Sequence, residues 1–184
     1  RWNKVGVSRL GDWPERDRIL AEIETIFFLS SETGARLAGA ARGRFFATWT
    51  GYYLSKPESV WLRHGADGKL AGYLTGCLDS AGAEPLYDAL FYYRAFEDQY
   101  PAFPAHFHIN CHPDHRNRGL GAELVGAFLG ACRDAGVAGA HVVTGAGARN
   151  ASFYGRCGLT ERARREVGGK PLVLLARNLE HDSV

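Results

Sequence analysis

A mixed α/β sheet with helices on both faces is the fold this sequence predicts, and three observations predict it. Residues 106–111 form a strand-compatible run, which passes through a turn at Pro113 and the loop Arg116-Asn117-Arg118-Gly119-Leu120-Gly121 into an apolar-periodic helix; residues 141–144 then read as another strand. Strand, helix, strand in succession is a right-handed parallel crossover. Hairpins flank it: residues 59–64 and 69–78 around Gly65-Ala66-Asp67-Gly68, and residues 160–167 and 172–179 around Gly168-Gly169. One parallel crossover between antiparallel hairpins makes the sheet mixed and mostly antiparallel.

The remaining elements follow in chain order. Residues 5–10 suit an edge strand ended by Gly11 and Pro14. In residues 15–30, Ile19, Leu20, Ile23, Ile26 and Phe27 recur at helical spacing, which predicts an amphipathic helix. A second helix is expected within residues 35–54, its Phe45, Phe46, Trp49, Tyr52 and Tyr53 serving mostly as packing. Between residues 79 and 105 the pattern loosens into a loop or short helix carrying Tyr87, Phe91, Tyr92, Tyr93, Phe96, Tyr100 and Phe103. Such an insert is either an acceptor-binding wall or the cover of a sheet face, and packing is the commoner use of large aromatics. After the central loop, Leu120, Leu124, Val125, Phe128, Leu129 and Cys132 share one helical face, and Gly136 stops the helix. Asn150 is placed to cap a short helix running to Cys157.

A length of 184 residues suits a single domain spanning residues 1–184. The longest apolar candidate, residues 19–29, is interrupted by Glu22 and Glu24, so neither a membrane span nor a signal peptide is expected, and a cytoplasmic location is. A net charge of +2 is too small to argue for nucleic acid or an acidic membrane surface as partner. The basic run at residues 162–165 reads as a solvated strand face. Cys77, Cys111, Cys132 and Cys157 lack C-x-x-C spacing and sit in apolar or strand-like settings, which favours buried thiols. His106, His108, His112 and His115 lie close in sequence, yet no acidic or cysteine ligand stands at a matching spacing, so no metal is expected.

The loop before the central helix is an anion cradle. The first turn of a helix has amide N–H groups with no intrahelical acceptor, and the helix dipole adds partial positive charge there. Gly119 and Gly121 allow φ > 0 and close backbone approach, and Asn117 tolerates φ > 0 better than most residues. Arg116 and Arg118 add positive charge beside the loop.

Arg116 to Gly121 resembles the Arg/Gln-x-x-Gly-x-Gly/Ala signature of the GCN5-related N-acetyltransferases (GNAT). Asn150-Ala151-Ser152-Phe153-Tyr154-Gly155-Arg156-Cys157-Gly158-Leu159 is similar, in compressed form, to that family's N-x-x-x-x-F-Y-x-x-x-G-F segment. The wording His106-Phe107-His108-Ile109-Asn110, with Pro113 after it, is also similar to acetyltransferase-like domains related to the C-terminal part of O-GlcNAcase. The resemblance implies a GNAT-type fold in which the two central parallel strands splay and acetyl-CoA lies in the gap, its pyrophosphate on the loop. It implies cofactor contacts from Ile109, Cys111, Arg116, Asn117, Arg118, Gly119, Leu120, Gly121, Ala122, Asn150 and Phe153.

Acetyl transfer needs a neutral amine against the thioester carbonyl, stabilisation of the oxyanion and a proton for the departing thiolate. Backbone N–H groups near Ile109 and Cys111 suit the second task. Tyr154 matches the family's thiolate acid; otherwise it is a tyrosine packed beside Phe153. Alternation along the strand puts His108 and Asn110 on the face opposite Phe107, Ile109 and Cys111. There His108 is either a base, acting directly or through a water oriented by Asn110, or a hydrogen-bonded structural residue. Glu97 and Asp98 are reserve bases. The expected function is acetyl-CoA-dependent N-acetylation of a primary amine on a small molecule or protein, by a monomer or homodimer. The alternative is a non-catalytic acetyl-CoA-binding or interaction module of the same fold.

Overall fold

The structure, a computed structural model, describes residues 6–180. In chain order its elements are β1 (Val7–Arg9), α1 (Arg16–Ser30), α2 (Gly39–Leu54), β2 (Val60–His64), β3 (Leu70–Cys77), α3 (Glu84–Ala89), β4 (Ala105–Cys111), α4 (Leu120–Asp134), β5 (Gly139–Gly145), α5 (Ala151–Arg156), β6 (Thr160–Val167) and β7 (Lys170–Asn178). The predicted mixed α/β fold is present, with β4 and β5 as the parallel pair. The chain divides into two compact units, one formed by residues up to Gly76 with His108–Ala127, the other by Cys77–Phe107 with residues from Phe128 onward. The strand order is β1-β2-β3-β4 in the first, to which β4 contributes from His108, and β4-β5-β7-β6 in the second, to which it contributes up to Phe107.

In the first unit, β1 pairs antiparallel with β2, and β2 with β3. The predicted strand over 5–10 reduces to Val7–Arg9, and Val5 lies outside the described residues. Leu10 instead opens a single 3-10 turn, Leu10–Asp12, closed by the Asp12 carboxylate accepting from the Arg9 N–H at 3.0 Å. Along α1, Ile19, Ile23, Ile26 and Phe27 share one face by their spacing and pack with Phe28 on Val60, Leu62, Leu70 and Tyr73. From α2, Phe45, Phe46 and Trp49 close over that core as the packing residues expected.

In the second unit, β5, β7 and β6 form an antiparallel ladder, and Gly168 and Gly169 make the β6–β7 turn at φ 57° and 76°. The parallel register joins Ala105 to Ala140 and His106 to His141. The aromatic insert is a cover. Its neck is pinched where the Ser80 N–H and Oγ–H both donate to the Pro104 carbonyl, at 2.8 and 2.6 Å. Inside it, Tyr93 donates to the Ser80 carbonyl and Tyr100 to the Tyr93 carbonyl. Tyr92, Tyr93, Phe96 and Tyr100 are buried, and Tyr100 stacks on His141 with ring centroids 5.2 Å apart.

The basic strand face is not simply solvated. Arg165 pairs with Asp98 at 3.0 Å and lies over Phe96, and Arg162 lies over Phe103, so two of the arginines hold the insert against β6. A flat guanidinium group lies well over an aromatic face, whose π-electron density attracts the cation. Arg165→Ala is expected to destabilise the protein by about 1 kcal/mol, the scale of one part-exposed ion pair plus one cation–π contact. Urea denaturation checks this, and an unchanged midpoint would return Arg165 to the solvated reading. No helix among the described residues is long and apolar enough to cross a membrane.

Candidate active site

The loop of the first unit adopts the backbone its residues were expected to permit. Asn117 has φ 63°, and Gly119 follows at 78°. The chain then enters α4 at Leu120, with the Glu123 N–H donating to the Gly119 carbonyl at 3.1 Å as the first helical bond. The amides of Leu120, Gly121 and Ala122 are therefore the first-turn donors without intrahelical acceptors. Gly121 lies within α4 and does not take up the left-handed conformation expected of it; at that position a helical φ is required to continue the turn. A Cβ at Gly119 would meet no protein atom within 4 Å, so space is open where the turn presents itself. Arg116, Asn117, Arg118 and Ala122 are exposed. Glu123 would place a carboxylate near this positive end, but Arg63 on β2 binds it at 2.6 Å and offsets its charge.

On β4, His108 and Asn110 lean against buried phenols of the same unit. His108 Nε2 is 3.0 Å from the Tyr53 hydroxyl, and Asn110 Nδ2 donates to the Tyr73 hydroxyl at 2.9 Å. Tyr53 and Tyr73 are each 1% exposed. Burial pushes the His108 pKa down to about 4, so its imidazole is neutral at physiological pH. On the other face, a Cβ at Gly72 would come within 3.0 Å of Cys111 Sγ and 3.2 Å of the Asn110 carbonyl. Only glycine there lets β3 approach the end of β4, where the His112 N–H donates to the Ala71 carbonyl at 2.7 Å. Burial raises the Cys111 pKa against the opposing effect of Arg116, so a neutral thiol sits beside Asn110.

In the second unit, α5 carries Tyr154. It is 4% exposed and packs edge-on to Phe107, with Phe153 alongside. Asn150 precedes the helix but does not cap it with its side chain; its Oδ1 accepts instead from Thr144 Oγ1 at 3.0 Å. Its backbone, at φ −77° and ψ −8°, is already helical, unlike the extended backbone a side-chain cap requires. Gly158 ends the segment at φ 84°, which explains the glycine of that motif as a left-handed helix stop.

Among the described residues no three His, Cys, Asp or Glu side chains gather to hold a metal ion. His106 Nδ1 lies 2.7 Å from Ser80 Oγ, His108 lies on Tyr53, and His112 accepts from the Asp114 N–H with the His115 ring centroid 5.8 Å from its own. None of the four cysteines is joined in a disulfide, and only Cys132 is buried; the other three are half-buried rather than enclosed as expected. Of the reserve bases, Asp98 is committed to Arg165 and Glu97 is exposed. Sequence reasoning missed Gly72, Arg63, Tyr53 and Tyr73. A glycine inside a strand run was the one available signal, marking close backbone approach at Gly72.

No curated protein matches the chain in sequence. The crystal structure of SsHAT is similar, 25% identical, with a TM-score of 0.72 over 96% of this chain and 98% of its own. The Drosophila melanogaster polyamine N-acetyltransferase that forms N-acetylagmatine shares the fold at 14% identity and TM-score 0.66, over 96% and 100%. Chaetomium thermophilum Naa20, in complex with a bisubstrate analogue, shares it at 18% identity and TM-score 0.60, over 97% and 88%. The model of the acetyltransferase (GNAT) family matches residues 37–159, more than half of the chain, from α2 through the loop to the end of the Tyr154 segment, and the chain belongs to that family.

Proposed function

We propose that this protein is an acetyl-CoA-dependent N-acetyltransferase that acts on a primary amine of a small molecule or protein. The observation that carries the reading is the loop: Asn117 and Gly119, both left-handed, lead into α4, whose first-turn amides at Leu120, Gly121 and Ala122 lack intrahelical acceptors, with the exposed Arg116 and Arg118 just before them. That arrangement suits a pyrophosphate. Backbone groups of Ile109 and Cys111 serve the pantetheine arm and the oxyanion, and Asn150 and Phe153 add contacts from the Tyr154 segment. His108 takes the acceptor's proton directly or through a water that Asn110 orients. The amine nitrogen bonds to the acetyl carbon, the carbon–sulfur bond breaks, and Tyr154 gives its proton to the departing thiolate.

N-acetyltransferases among its structural neighbours support the reaction type. The wording around His108 supports kinship with the O-GlcNAcase-related acetyltransferase-like domains. We place the protein in the cytoplasm, as one domain working as a monomer or homodimer.

A calorimetric titration with acetyl-CoA, followed by coenzyme A release over a panel of amines, tests the reading. Binding and release are expected; binding without release from any amine would favour the non-catalytic module. The pH dependence of kcat/KM checks the base. An imidazole at its usual pKa of about 6.5 would put the acid limb there. Burial lowers the His108 value, so the limb belonging to His108 is expected near pH 4, below the separate limb set by the acceptor amine's own ionisation: His108 is neutral above pH 4 and protonates below it. A limb near the ordinary histidine value would remove the buried His108 from the role.

A further inference from the structure

We propose that Tyr53 is a positioning residue for His108, its hydroxyl oxygen accepting the Nε2–H so that Nδ1 is the nitrogen that takes up the acceptor's proton. This rests on the transferase reading above and adds a residue to it. Tyr53 projects from α2 onto β4, 55 residues from His108 in the chain, and its oxygen is 3.0 Å from Nε2. The rings meet edge to face with centroids 5.3 Å apart, and Trp49, one helical turn earlier, meets the imidazole in the same manner at 6.2 Å. Two α2 aromatics thus fix the ring plane, and the phenol engages Nε2.

Which ring nitrogen of a histidine carries the proton is set by the hydrogen bond the other makes. A phenol oxygen accepting from Nε2 leaves the lone pair on Nδ1. When Nδ1 gains a proton, the imidazolium Nε2–H donates more strongly to the same oxygen, which offsets part of the cost of charge in a desolvated place. The task is the one a carboxylate performs for the histidine of a catalytic triad, done by a neutral group. One proton leaves the amine and one is gained at Nδ1, while Tyr53 keeps its own. On the same strand the Tyr73 hydroxyl accepts from Asn110 in a parallel arrangement.

The test is 15N NMR of histidine-labelled wild-type protein and of Tyr53→Phe, with steady-state kinetics of both. The wild-type His108 signals are expected to show a protonated Nε2 and a bare Nδ1. In Tyr53→Phe the two tautomers should mix, and kcat should fall about tenfold with KM for acetyl-CoA unchanged. A bare Nε2 in wild type overturns the assignment, and so does unchanged kcat in a variant whose tautomer has shifted. The tautomer measurement needs no turnover and no variant. It therefore decides the positioning claim even if Tyr53→Phe folds poorly, whereas absence of coenzyme A release from wild type would count against the transferase reading alone.

Discussion

Tyr154→Phe is expected to lower kcat by about 10²-fold while leaving acetyl-CoA affinity nearly intact, the range for loss of one positioned proton donor. The substitution deletes a hydroxyl and keeps the ring, and the ring is what packs: Tyr154 is 4% exposed, with Phe107 and Phe153 as aromatic neighbours. A change in fold is therefore not expected to confuse the result. The deficit should shrink as pH rises past about 8.5, where a thiolate leaves without a proton. Normal turnover in the variant, with acetyl transfer shown to be rate-limiting, would make Tyr154 a packing residue only.

Gly119→Val is expected to weaken acetyl-CoA binding by at least about tenfold. The residue sits at φ 78°, where a side chain costs about 1–2 kcal/mol, so some loss of stability accompanies the change. A Cβ would touch no protein atom within 4 Å, and the fold should survive. The branched side chain would then occupy the open space in front of the first-turn amides and compete with the pyrophosphate. Unchanged affinity in calorimetry, with the variant folded by circular dichroism, would take the loop out of the site.

Much of this was legible because the informative features were local. Gly65 to Gly68 and Gly168-Gly169 mark hairpins by turn chemistry, and Asn117 with Gly119 before an apolar-periodic run marks a helix start able to bind an anion. What was not legible depends on partners distant in the chain. Nothing in the sequence of β6 says that Arg165 meets Asp98, or that Arg162 lies over Phe103. Asn150 has the composition of a cap, but Thr144 from β5 takes its side chain, a competition visible only once both are in place. The contact of His108 with Tyr53 was hidden for the same reason: the aromatics of α2 read mostly as packing, and one of them carries a hydroxyl that ends at an imidazole. Helical periodicity reports which face is buried, not which buried atom bonds to what.

The most direct test of the central claim is mass spectrometry of wild-type reactions containing acetyl-CoA and a panel of primary amines, with coenzyme A quantified in the same samples. The account predicts an N-acetylated amine formed in proportion to coenzyme A released, with both falling together in Tyr154→Phe. Coenzyme A release with no acetylated amine, or no release with any acceptor despite saturated acetyl-CoA binding, would contradict it.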